Sequence, residues 1–381
     1  MGVLDGMKVV EMGSLGPVQM CGMLLADLGA DVIVVERSAT DADRPRPSEI
    51  YNRGKRSIAV DLNKPGTVDT ILKVTERADA LIEGMGPGMM ERLGLGPDVC
   101  LVRHPSLVYG RVSGFGHDGP LSRAPGFDST FISLSGALWL ASQPGERPDA
   151  PLTLLGDVGG GALYLALGVL AGVLRAREDK RGQVVEAAIV DGSASLLNLM
   201  LAVVPSCDGR FEYIRSNGYG RHFVRSYRCS DGEWIRVESV EPKFYTELIK
   251  RLGLNHDERF VNGQNNRESW SALSVELDAL FATKTRAQWR ELLEGTDACF
   301  GPVLSPPEAA VHPHNVARAV YTTVDGILQA APAPRFSATP SVAPTHVPVR
   351  GAHTSEVLSE IDLAAQQIEQ FAKQGELRET N

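Results

Sequence analysis

Residues 8–36 read KVVEMGSLGPVQMCGMLLADLGADVIVVE, and the order of the parts decides the fold. Lys8–Glu11 is a short strand, Pro17–Leu28 an amphipathic helix with proline in its first turn, and Asp31–Glu36 a second strand without a polar face. Strand, helix and strand in so short a span make a β-α-β unit, and the chain is α/β. A doubly wound nucleotide fold follows, with Glu36 where a ribose-binding acid stands. Gly13, Gly16 and Pro17 do not spell G-x-G-x-x-G, so NAD is not expected.

Working outward, Asn52–Asn63 (NRGKRSIAVDLN) joins a basic loop to a strand. Arg53, Lys55 and Arg56 there read either as a solvated face or as a phosphate contact, joined by Arg37 and Arg92 if folding gathers them. Strands follow at Ala80–Glu83 and Leu107–Val112, leading into the glycine-rich GFGHDGP, and another strand is expected at Val184–Ile189. Composition turns polar at about Pro205. The expected organisation is a large domain over 1–204, a crossing linker over 205–229 and a smaller domain over 230–325. An extended, proline-dense return and a C-terminal helix packing on the large domain take up 326–381. Glu241, ahead of Pro242, opens a helix of the smaller domain and suits its positive end.

A chain of 381 residues, 43% of them hydrophobic, can bury a large core, and a net charge of −9 offers no general attraction to nucleic acid or an acidic membrane. Five scattered cysteines with no C-x-x-C pair point to a reducing compartment. The first ten residues lack a signal sequence, and a cytoplasmic protein is expected. His312-x-His314 is the only histidine spacing that approaches a metal pattern and reads as a polar loop, so no metal is expected.

Residues 151–175, PLTLLGDVGGGALYLALGVLAGVLR, set one acid among glycines ahead of an apolar helix. Ala162–Leu174 is uncharged, and Leu163, Leu167, Leu170 and Leu174 recur at helical spacing, so a buried core helix too short to cross a bilayer is expected. Asp157 is either an N-cap or a reactive carboxylate against an apolar wall. Gly159, Gly160 and Gly161 at a helix start would offer N–H groups to an oxyanion. Asp128, in Gly126-Phe127-Asp128, reads as a helix cap.

VVERS with Arg37, RGKRSIAVDL, ERLGLGPD, SGFGHDGP, GFDSTFISLSG, PLTLLGDVGGG, SVEPKFY and EGTDACFGPVL, in this order, resemble the family III CoA-transferase and α-methylacyl-CoA racemase superfamily over nearly the whole chain. EPKFY and GTDAC are nearer the racemase branch. The resemblance implies a Rossmann-like large domain, a smaller α+β domain and a homodimer interlocked like chain links, each active site lying between subunits. It implies acyl-CoA thioesters as substrates, with coenzyme A present as part of the substrate and no permanently bound cofactor. By position, Arg37, Val60, Asp61 and Arg92 would belong to the CoA site and Asp157 would be the catalytic acid.

The two branches use that acid differently. In racemisation it moves the proton at C2 of a 2-substituted acyl-CoA, with a second acid/base opposite. The racemases place a histidine there, in Gly-His-Asp, assisted by a glutamate matching Glu241. Here Phe127 replaces that histidine, leaving Glu241 or His222 to serve. In transfer, Asp157 would attack the thioester and pass through an anhydride to an enzyme-CoA thioester. A racemase-like enzyme is the first expectation, a CoA-transferase the second, and a CoA-binding homologue without activity the third.

Overall fold

The computed structural model describes the chain except residues 1, 14–15, 38–45, 47, 65, 150–152, 208, 212–213, 216–219, 342, 362–376 and 379–381. Two compact units emerge, one of Met1–Leu138, Ala150–Asn198 and Arg318–Asn381, the other of Trp139–Asp149 and Leu199–Ala317. The grouping differs from the expected division in placing Trp139–Asp149 in the second unit and returning to the first at Arg318.

In the first unit, six parallel strands lie in the order β3-β2-β1-β4-β5-β6: β1 (Lys8–Met12), β2 (Asp31–Arg37), β3 (Arg56–Val60), β4 (Ala80–Glu83), β5 (Val108–Ser113) and β6 (Gln183–Ala188). The order reverses between β1 and β4. In such a sheet ligands bind beyond the carboxyl ends of the strands at that point. Both faces are covered, which is why β2 is apolar without alternation. Val9 of β1 packs towards α1 (Pro17–Asp27), while Val10 and Met12 pack with Ile71, Cys100, Val357 and Leu358 on the other face. Leu377–Arg378 adds a short antiparallel strand to β3, and Tyr321–Val324 with Ile327–Ala330 makes a hairpin through Asp325-Gly326. Of the expected C-terminal helix, Thr354–Glu360 is helical, and residues 362–371 lie outside the described residues.

α2 (Asp128–Ser135) follows the β5 loops. A π-helical turn, Leu154–Ala162, then runs directly into α3 (Leu163–Asp179), and α4 (Ile189–Leu196) follows β6. The helical stretch is therefore 26 residues, Leu154–Asp179, long and apolar enough by length and composition to cross a membrane, and half of its most apolar window is buried. This corrects the expectation of a shorter helix. The leucine stripe is corrected too: Leu163, Leu167 and Leu174 are 49%, 65% and 69% exposed. The sheet takes the opposite face, Leu165, Ala166, Val169, Gly172, Val173 and Ala176, whose small members let helix and strands approach.

The second unit has an antiparallel sheet of β7 (Val224–Arg228), β8 (Trp234–Glu238) and β9 (Phe300–Pro302), packed with α5 (Pro242–Arg251) and the helices Trp270–Phe281 and Arg286–Leu293. β7 replaces the end of the expected linker. Tyr227, Phe281 and Trp289 form the centre of this core.

Candidate active site

A cavity of about 460 Å³ lies at the point where the strand order reverses, in the first unit. Gly16 and Pro17 at the start of α1, Gly84, Gly86 and Pro87 after β4, Val112 to Phe115 around the end of β5, and Phe127, Phe131 and Ile189 wall it. Asp157 is the one ionisable side chain among the described residues lining it.

Burial pushes the Asp157 carboxyl up to about 6, with the neighbouring Asp128 adding to the rise. Asp157 falls in the first turn of the π-helical segment, whose N-terminus pulls the other way, and burial outweighs that pull. Asp128 is the first residue of α2, not its cap, and its Oδ1 accepts the backbone N–H of Asp157 at 2.7 Å.

Gly159 and Gly160 lie inside the turn, so their N–H groups are not at a free helix start. A Cβ on Gly160 would lie 2.5 Å from Ser193 Oγ and 2.8 Å from Ser193 N, so a glycine here lets the turn pack against α4. The starts of α1, α2 (Phe127) and α4 (Ile189) all border the cavity, and of the three that of α1 has no acid in its first turn and no capping side chain. A Cβ built on Gly16 would stand 3.9 Å from Asp157 Oδ2.

Phe127, extended at the cap of α2, is 84% exposed, and its N–H donates to Thr130 Oγ1 at 2.8 Å. Phe131 packs edge-on to Phe115 behind it, with centroids 4.9 Å apart. Glu241 belongs to the second unit, where it caps α5, exposed and 3.2 Å from Lys243 Nζ. His222 is not a linker residue. It is fully buried in the second unit, its Nε2 2.8 Å from the Tyr245 hydroxyl, which donates to Phe260 O, and burial lowers its pKa to about 4.

The cations sort differently from expectation. Arg53 forks onto Asp27 at 2.6 and 3.0 Å and reaches Gln329, Lys55 binds Glu11 at 2.6 Å with both side chains wholly buried, and Arg56 forks onto Asp31. They are internal braces rather than a solvated loop or a phosphate contact. Glu36 is braced likewise, accepting from Arg46 at 2.5 and 2.6 Å and from Ser57 Oγ at 2.5 Å, so no ribose acid stands free. His312 binds Glu294 at 2.7 Å.

Arg37 is exposed at the end of β2, opposite Val60 in register, with Asp61 next, so these three come together at the carboxyl edge. Arg92 lies instead in a second cavity of about 680 Å³, with Arg111, His117 and Arg123, sharing Gly86, Pro87, Ser122 and Ala124 with the Asp157 cavity. The sequence reading missed Arg111, His117 and Arg123. Arg111 lies within β5, bound to Glu186 at 2.8 Å, while His117 and Arg123 follow the strand's end, on the ligand-binding edge of an open sheet, which was their signal.

The sequence pattern of CoA-transferase family III matches residues 4–354. The chain belongs to that family. It is 38% identical over 375 residues to the alpha-methylacyl-CoA racemase of Mus musculus, covering 97% of this chain and 96% of that one. To the Homo sapiens alpha-methylacyl-CoA racemase it is 36% identical over 373 residues, again 97% and 96%. The crystal structure of a CaiB/BaiF family protein from Brucella suis superposes with a TM-score of 0.81 at 23% identity, covering 95% of this chain and all of that one, a likeness of fold. In this family III chain the acid at the strand-order reversal is accessible, half-buried and close to neutral in proton affinity. Such a group can take up a proton from carbon or attack a carbonyl.

Proposed function

We propose that the protein is an acyl-CoA enzyme that exchanges the proton at C2 of a 2-substituted acyl-CoA, in the manner of the racemases it is similar to. The observation that carries this reading is Asp157: a carboxyl raised to about 6, the one ionisable side chain among the described residues lining its cavity. At neutral pH it is mostly ionised yet more basic than an ordinary aspartate, which suits a proton taken from carbon. The carboxylate removes the C2 proton, the electron pair moves onto the thioester oxygen as an enolate, and the proton returns to C2. The uncapped start of α1 is the donor edge for that oxygen. Arg37, Val60, Asp61 and Arg92 hold the CoA portion. Glu241 supplies or assists the second acid/base, because Phe127 stands where the racemases carry histidine and its ring moves no proton. The exposed leucine face of α3 supports a homodimer, interlocked as the resemblance implies.

The aromatic Phe127 favours one alternative, transfer of CoA between acids. Asp157 would attack the thioester carbonyl, expelling CoA thiolate. The thiolate would then attack the aspartyl carbonyl of the anhydride, releasing the acid and leaving an enzyme-CoA thioester. An acceptor carboxylate would reverse both steps and regain Asp157.

Incubation of the protein with a 2-methylacyl-CoA in deuterated water tests the choice. Deuterium at C2, lost by about 100-fold or more in Asp157→Asn, is the expected result. CoA transfer to an added acid with C2 untouched selects the alternative, and exchange that survives Asp157→Asn refutes the assignment of the acid.

A further inference from the structure

We infer that Asp128 is a positioning residue for Asp157: its carboxylate clamps the Asp157 peptide N–H and so fixes both the orientation of the reacting side chain and the charge beside it. This rests on the proposed role of Asp157 but is separable from it. In the π-helical turn, the N–H of Val158 bonds back to Thr153 O at 3.0 Å. Asp157, one residue earlier, falls in the first turn, where N–H groups lack an acceptor within the helix. Asp128 Oδ1 supplies it from another element at 2.7 Å.

The approach is built into the chain. A Cβ on Gly156 would lie 2.4 Å from Asp128 Oδ1 and 2.9 Å from Ile132 Cγ2, so the residue before Asp157 has to be glycine for α2 to come this close. Asp128 is freed from capping its own helix because Thr130 Oγ1 accepts the Phe127 N–H and donates to Phe127 O. Of the other elements at the turn, α1 presents Gly16 and Pro17, and α4 presents Ile189 and Ser193, with Asp191 exposed. Asp128 is accordingly the charged group that bears on Asp157.

The test is carbon-13 NMR titration of the Asp157 carboxyl in the full chain, assigned with Asp157→Asn, beside the pH profile of C2 exchange. Asp128→Asn keeps an oxygen for the N–H but removes the charge. The Asp157 midpoint should fall by up to about one pH unit, and the acidic limb of exchange with it, giving about fivefold more of its own plateau at pH 5. Asp128→Ala removes the acceptor as well, so the Asp157 amide should lose its protection from hydrogen exchange and the plateau rate should drop. An Asp157 midpoint unmoved in Asp128→Asn overturns the inference, and that variant decides it if Asp128→Ala fails to fold. No C2 exchange in any of these proteins would sink the proposed reaction, while the NMR midpoint still decides the role of Asp128.

Discussion

Gly192→Ala puts one methyl group between the helix that follows β6 and the turn that carries the acid. The added Cβ would lie 2.0 Å from the carbonyl oxygen of Gly160, 2.7 Å from its carbon and 2.8 Å from its Cα. An ordinary contact needs about 3.4 Å, so the two backbones must part by more than an ångström, and neither atom can rotate away. Overpacking of this kind costs about 1–3 kcal/mol, a fall in melting temperature of roughly 2–12 °C for a domain of this size. The displaced segment carries Asp157, and a shift of about 1 Å at a reacting group can cost about 100-fold in rate. C2 exchange should therefore fall far more than the folded fraction does. Thermal melting and deuterium incorporation measure the two effects separately. Gly301→Ala, with nothing within 4 Å of its new methyl, should leave both near their starting values. If Gly192→Ala melts and exchanges like the unmodified protein, the close approach of α4 to the turn that carries Asp157 is wrong.

Glu83, 3% exposed at the end of β4, has its carboxyl pushed up by burial from 4.5 to about 7, although it accepts the Met85 N–H at 2.7 Å. The unfolded chain gives up this proton first, so stability from this group is full below pH 4.5 and lost as pH rises through about 7. Glu83→Gln should match the unmodified protein near pH 4.5 and be more stable at pH 8 by up to roughly 3 kcal/mol, and melting curves that stay parallel across this range would contradict the burial of the acid. Phe127→His, at a position 84% exposed, should leave the melting temperature unchanged and raise C2 exchange about tenfold or more, with inversion keeping pace; no rise in a folded variant would count against the racemase reading.

The β-α-β opening was legible because its signals are local: an apolar run, a proline at a helix start, a second apolar run. The leucines of α3 misled because periodicity shows that a helix has an apolar stripe, not which neighbour covers it. A sheet demands close approach, and Ala166, Gly172 and Ala176 met it beside Leu165, while Leu163, Leu167 and Leu174 of the stripe stayed outside. The Asp325-Gly326 hairpin was written plainly, a two-residue turn between short β-prone runs, and was overlooked beside the prolines that follow. Asp128 was visible as an acid at a helix start, but its partner lies 29 residues away and no spacing rule reaches it.

The basic residues show what a sheet adds to a sequence. Arg53, Lys55 and Arg56 form the densest cluster of charge in the opening segments, yet they stand at the amino end of β3, and a ligand of an open parallel sheet lies beyond the carboxyl ends. The same chain sets Arg37 at the end of β2 and Arg92 in the helix beyond β4, far apart in sequence but on the correct edge. Clustering along the chain is thus a poor guide to anion binding here, because neighbours in sequence are drawn into the carboxylates nearest them: Arg53 to Asp27, Lys55 to Glu11, Arg56 to Asp31. What leaves a cation available is a position past a strand's carboxyl end with no acid in reach. Arg92 and Arg123 line the cavity that adjoins the one holding Asp157, where Arg111 by contrast is held by Glu186 at 2.8 Å.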